Sequence, residues 1–212
     1  MRTGFTALFL LLGIAQTHAS LLYHNGSIVG DRADALTDGQ SVSDSFDIYD
    51  ASVLSNISIG AWVAAGDLPE FITWSIGSTP FSTDFSGVSA LSNTFVDSVL
   101  VGNPAASFDL YESTFDLNVL LQGGTYWLTL KSGTTQQNGE LAWDFGNGFS
   151  QSQRFNQGTV TRLESSHSFQ VYGELAGNVV VTPEPASISL AAFSALAMLI
   201  GARRRQPVAR CS

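Results

Sequence analysis

Between about residue 45 and residue 175 the apolar residues recur at every second position in short runs. This regularity constrains the fold more than any other feature of the chain. In "SNISIGAWVAA" Ile57, Ile59, Ala61 and Val63 fall on one side, and Ser58, Gly60 and Trp62 on the other. In "EFITWSIG" Ile72, Trp74 and Ile76 line one face, and "GTYWLTLK" sets Tyr126, Leu128 and Leu130 against Trp127, Thr129 and Lys131. "ELAWDFG" opposes Leu141, Trp143 and Phe145 to Ala142 and Asp144, and "SFQVYGE" opposes Phe169 and Val171 to Gln170 and Tyr172. A period of two is that of a half-buried strand, whose side chains alternate across the sheet. Turn formers punctuate the runs: Gly66-Asp67-Leu68-Pro69, Gly102-Asn103-Pro104, Gly123-Gly124, Asn138-Gly139 and Gly146-Asn147-Gly148. The middle of the chain has no helical pattern of useful length. About eight to ten strands at this spacing predict an all-β domain. The expected architecture is two packed antiparallel sheets in a jelly-roll-like β-sandwich.

Composition fits that reading. Only 13% of the 212 residues are charged, and Gly, Ser, Thr, Asn and aromatic residues are plentiful, as in exported all-β domains. Residues 20–182 hold four basic residues (Arg32, Lys131, Arg154, Arg162) against seventeen acidic ones, a formal net charge of −13. Such a surface repels nucleic acid and anionic lipid headgroups. Cys211 is the single cysteine, so an internal disulfide is ruled out and the fold rests on core packing.

Both ends read as targeting segments. "MRTGFTALFLLLGIAQTHAS" has Arg2 as its positive region, Phe5 to Ile14 as an apolar core, and Thr17-His18-Ala19 as a small-x-small cleavage pattern. Residues 1–19 are therefore expected to be a signal peptide, a short helix cut after Ala19 by signal peptidase. Near the other end, Ala186 to Ala202 run seventeen residues without a charge. As a helix they reach about 25 Å, the short end for a single transmembrane span. Arg203, Arg204 and Arg205 follow at once and favour the cytoplasmic side. Pro183 and Pro185 break any helix before the span.

This tripartite ending resembles the PEP-CTERM sorting signal of bacterial exported proteins. The residues that carry the resemblance are Pro183-Glu184-Pro185, the span 186–202 and Arg203-Arg204-Arg205, so the signal covers residues 183–207. The resemblance implies recognition by an exosortase, a membrane protease that cuts near the Pro-Glu-Pro, in a Gram-negative, usually biofilm-forming bacterium. It also implies transient residence in the inner membrane and a final place at the cell surface or in the extracellular matrix. Residues 20–182 would be the exported domain. Their "FDIY" strand, "GTYWLTL", Trp-containing strand and closing "SFQVYGE" resemble a β-rich domain frequent among such proteins, which has no established activity. "SFDIYD" at 45–50 recurs as "SFDLYE" at 107–112, either as an echo of two similar strands or as chance repetition of strand chemistry.

Motifs for catalysis are missing from residues 20–182. No G-x-S-x-G elbow, H-E-x-x-H, phosphate loop or G-x-G-x-x-G occurs, and no catalytic residue is assigned. His167, in "ESSHSFQ", is expected to be an exposed histidine at a strand edge. Asp31, Asp34 and Asp38, with Gly39, lie in an acidic stretch that could hold calcium through carboxylate and carbonyl oxygens. The same charges would equally serve as a solvated strand edge. No other cofactor is indicated. Trp62 and Trp127 lie opposite the main apolar positions and are candidate platforms for sugar rings, with Trp127 expected to be the exposed one. Trp74 and Trp143 are expected in the core. The expected function is that of a non-enzymatic exported surface or exopolysaccharide-matrix protein. The alternatives are a carbohydrate-binding module, calcium-dependent or not, that contacts extracellular polysaccharide, and an exported hydrolase built on a sandwich.

Overall fold

The computed structural model describes residues 19–37, 39–102 and 105–178. They form two antiparallel sheets. The first has seven strands: β1 (Ser20–His24), β2 (Ile28–Ala35), β4 (Ser52–Ala64), β7 (Ser92–Val101), β8 (Ala106–Leu121), β10 (Ala142–Gly146) and β13 (Phe169–Leu175). The second has six: β3 (Gln40–Ile48), β5 (Pro69–Gly77), β6 (Phe85–Ala90), β9 (Gly124–Thr135), β11 (Ser152–Asn156) and β12 (Thr159–Leu163), in the order β12-β11-β3-β9-β5-β6. The all-β expectation holds, with more strands than the eight to ten expected.

Strand β4 organises the first sheet. One of its edges pairs with β8 from Ser52 to Ala64. The other is shared, by β13 over Ser52–Ile59 and by β10 at Ala61 and Trp62. Outside these lie β7 against β8, β1 against β13 and β2 against β10.

The alternating residues meet where the two sheets face each other. Ile57, Ile59, Val63, Phe115, Trp143, Phe169 and Val171 of the first sheet join Val42, Phe46, Ile72, Ile76, Leu128 and Leu130 of the second in one buried cluster, a sandwich-like arrangement. Each large side chain so buried contributes about 1.5–3 kcal/mol. Turn chemistry closes the strands as the sequence predicts. At the β4–β5 turn Gly66 has φ +81, a left-handed conformation open to glycine at no steric cost. There the Asp67 carboxylate caps the bend, accepting from the Leu68 N–H at 2.8 Å, the Gln137 N–H at 3.0 Å and the Thr135 hydroxyl at 2.5 Å.

The "SFDIYD" echo does not mark equivalent strands. Phe46 and Ile48 belong to the central cluster. Phe108 and Leu110 sit on the far face of the first sheet, level with Ala64 and Trp62 of β4, and Phe108 packs on Trp62 with ring centroids 5.7 Å apart. No helix among the described residues is long and apolar enough to cross a membrane. The expected signal helix and the span 186–202 lie outside the described residues.

Candidate functional site, a buried histidine between two carboxylates

The densest chemistry lies inside the fold. β2 carries Asp34 with the same parity as Leu36, and both are buried. β3 carries Asp44 between Val42 and Phe46 on its core-facing side, fully excluded from solvent. The segment between β12 and β13 brings His167 between them. Its Nε2 lies 3.3 Å from Asp34 Oδ2 and its Nδ1 3.3 Å from Asp44 Oδ2. The His167 backbone N–H also donates to Asp44 Oδ2 at 2.6 Å. Arg154 of β11 reaches across from the second sheet, placing Nη1 2.7 Å from Asp34 Oδ1. Ser150 donates to the remaining Asp44 oxygen, and Asn25 Nδ2 bonds both Ser150 Oγ, at 2.6 Å, and the His167 carbonyl, at 2.8 Å.

The imidazole is closed on both faces as well. Trp143 and Phe145 each set their ring centroids 4.7 Å from it, and the Arg32 guanidinium covers Phe145 at 5.1 Å. His167 has no exposed surface. The expectation of an exposed strand-edge histidine is therefore corrected. The segment 164–168 is tucked inward by backbone bonds from Gly146 N–H to the Ser166 carbonyl and from Ser168 N–H to the Asp144 carbonyl.

Electrostatics follow from this geometry. Burial works against a charged imidazole, but the hydrogen bonds and charges of Asp34 and Asp44 outweigh it and raise the His167 pKa. Burial likewise works against the Asp34 carboxylate, and His167 and Arg154 outweigh it, lowering its pKa. With His167 protonated, the cluster sets its imidazolium and the Arg154 guanidinium beside two carboxyl groups, the pairing that lets charge persist in a low-dielectric interior. Both ring nitrogens are engaged, and solvent is excluded from the imidazole and from Asp44, while Arg154 keeps its outer side in water. The set therefore works as a clasp between the sheets, with no open face for a substrate.

Asp144 forms a second buried polar knot on the opposite face of β10. It accepts from Trp62 Nε1 at 2.7 Å, from the Val29 N–H at 2.8 Å and from the Gly30 N–H at 3.1 Å. Burial raises its pKa, more than these bonds lower it.

The other residues singled out in the sequence are scattered. Asp31 is exposed, and Asp38 lies outside the described residues. Both oxygens of Asp34 are engaged in the clasp, and among the described residues no group of three or more acidic, histidine or cysteine side chains is arranged to hold a metal. Trp127 is only 9% exposed, which corrects the expectation of an open platform. The segment after β5 crosses the same outer face, where the Phe81 N–H donates to Ser43 Oγ at 3.4 Å and Ser43 pairs with Thr129. Trp62 is 5% exposed. It is held by Asp144 and Phe108 at the wall of an open cleft of about 380 Å³, with Phe108, Phe145, Ala33 and Ala35, and with Asp31, Arg32 and Glu140 among its charged lining. Trp74 and Trp143 are buried as expected. Ala19 is exposed just before β1, and Pro183, Glu184, Pro185, Arg203, Arg204 and Arg205 lie outside the described residues.

No protein-family model matches the chain, and no curated protein matches it.

Proposed function

We propose that this chain is a non-enzymatic exported protein of the bacterial cell surface or exopolysaccharide matrix. Signal peptidase removes residues 1–19, and residues 183–207 are a PEP-CTERM-type signal for an exosortase. Residues 20–182 are the delivered part, a jelly-roll-type sandwich. The observation that carries this reading is the order of Pro183-Glu184-Pro185, an uncharged seventeen-residue run and three arginines behind a strand-rich, strongly acidic domain. The closure of His167 supports a scaffolding role for the best-equipped set of side chains, and the net charge of −13 weighs against nucleic acid as a partner. Fractionation of cells with and without an exosortase tests the proposal. The protein is expected outside the cell in the first case and retained at the inner membrane in the second; the same distribution in both would reject it.

A second reading, a carbohydrate-binding surface module, draws on the cleft at Trp62. An aromatic wall with Asp31, Arg32 and Glu140 at hand suits a neutral sugar, whose ring has an apolar face and hydroxyl edges. Ala35→Trp fills this cleft. Glycan binding that persists in that variant would remove the cleft from consideration and leave the export proposal untouched.

A further inference from the structure

β7 is an outermost strand of the first sheet, as are β1 and β2. It bonds β8 along one edge, and among the described residues no strand pairs with its other edge. It is also open on both faces. Phe95 is 56% exposed, Val96 46%, Leu100 74% and Val101 37%, and consecutive strand residues such as Leu100 and Val101 point to opposite sides.

The neighbouring strand in sequence, β6, is one of the two outermost strands of the second sheet. It shares this flank of the molecule, since Ser89 of β6 donates to the Asp116 carbonyl of β8 at 3.1 Å. It too exposes apolar residues, Phe85 and Val88.

Proteins normally blunt such edges with charges, prolines or bulges. Here a single irregularity between Phe95 and Asp97 is present, and Asp97 is the sole charged residue from Phe85 to Val101. The rest of the domain is acidic enough for two copies to repel each other. This flank, with one charged residue from Phe85 to Val101, lets them approach at low electrostatic cost. A row of backbone donors and acceptors that no described strand pairs calls for another strand. A strand added at the edge flanks the side chains of both faces, whereas a ligand lying on one face leaves the other wet. Antiparallel pairing of a strand with its own copy satisfies the same groups on each side about a twofold axis.

We propose that β7 is a self-association edge, through which two copies join their first sheets into one continuous antiparallel sheet. The occupant is a second copy of this chain.

Sedimentation equilibrium on the protein purified as cells deliver it tests this, with hydrogen exchange on the β7 amides. The wild type is expected to be a concentration-dependent dimer whose outward β7 amides gain protection on association. Leu100→Lys, at a residue already largely in water, should weaken the dimer about tenfold or more with an unchanged melting curve. Asp97→Asn, which removes a like charge from each copy, should strengthen it. Val160→Lys, on the exposed strand β12 at the other end of the second sheet, should leave it intact. A monomeric wild type overturns the proposal, and protected β7 amides in that monomer would show that a segment of the same chain covers the edge. Dissociation by Val160→Lys but not by Leu100→Lys overturns it as well.

Discussion

Nε2 of His167 and Oδ2 of Asp34 lie 3.3 Å apart across 133 positions of sequence. Asp34 belongs to the first sheet, while Asp44, on the other ring nitrogen, belongs to the second. One imidazole therefore ties together the two layers that the apolar core packs. Removing it leaves Asp34 with Arg154 alone and the fully buried Asp44 with no cationic partner. His167→Gln is expected to cost about 3–5 kcal/mol, the range for breaking a buried ion pair from one side. Urea unfolding followed by tryptophan fluorescence measures this. A loss below about 1 kcal/mol would mean that the clasp is incidental to stability.

The same pair sets a pH dependence. His167 has a folded pKa above 6.5, so its contribution is complete below about 6.5 and is lost as pH rises through the raised value. Asp34 has a folded pKa below 3.8, so its contribution is complete above about 3.8 and is lost as pH falls through the lowered value. Both are present together from about pH 4 to 6.5, where stability is expected to peak. Asp144, with its raised pKa, adds stability on the acid side that fades as pH rises. Melting temperature against pH checks this, and His167→Gln should flatten the alkaline limb. An alkaline limb unchanged in that variant would assign the pH dependence elsewhere.

Asp67 locks the β4–β5 turn to the end of β9. Asp67 is 3% exposed. Burial opposes ionisation, but the bonds from the Thr135 hydroxyl and from the Leu68 and Gln137 N–H groups hold its pKa below the usual value. Asp67→Ala strands these donors and should cost about 1–3 kcal/mol. At about 2–4 °C per kcal/mol the melting temperature drops by several degrees, and Asp67→Asn, which keeps an acceptor, should recover part of the loss.

Gly60 of β4 marks a close approach. A methyl group there would lie 2.4 Å from Ser168 Oγ and 2.8 Å from the Asp144 Cβ, beside the Trp62–Asp144 hydrogen bond. Gly60→Ala is expected to destabilise by about 1–3 kcal/mol through overpacking. Gly177→Ala, which meets nothing within 4 Å, is the matched control. Equal melting curves for the two variants would contradict the packing argument.

The acidic stretch is expected to be inert toward calcium, because both Asp34 oxygens are already held by Arg154 and His167. Melting curves in EDTA and in millimolar calcium should coincide. A rise specific to calcium and absent with magnesium would contradict this.

The core was legible because its strands obey a strict alternation: Ile57, Ile59 and Val63, or Leu128 and Leu130, need only parity to be placed. Strands such as "FSGVSA" and "TVTRL" were not legible. They are edge strands with mostly exposed residues and lack the apolar stripe. Trp127 is less open than alternation alone suggests, because the sheet's outer face is not bare: the segment after β5 reaches it at Ser43. The clasp was half visible. Asp44 shares the parity of Val42 and Phe46, and Asp34 that of Leu36, so each carboxylate sat on an apolar face. That His167 would meet them depends on contacts spanning over a hundred residues, which a local pattern does not carry.

Under the proposed function, an acidic, strand-rich domain is exported and then released from its sorting signal. Intact-mass measurement of the protein recovered outside the cell tests this most directly. The expected mass lacks residues 1–19 and ends close to Pro183–Pro185. A mass that retains residues 186–202 and Arg203–Arg205 would contradict it and make the segment an ordinary membrane anchor.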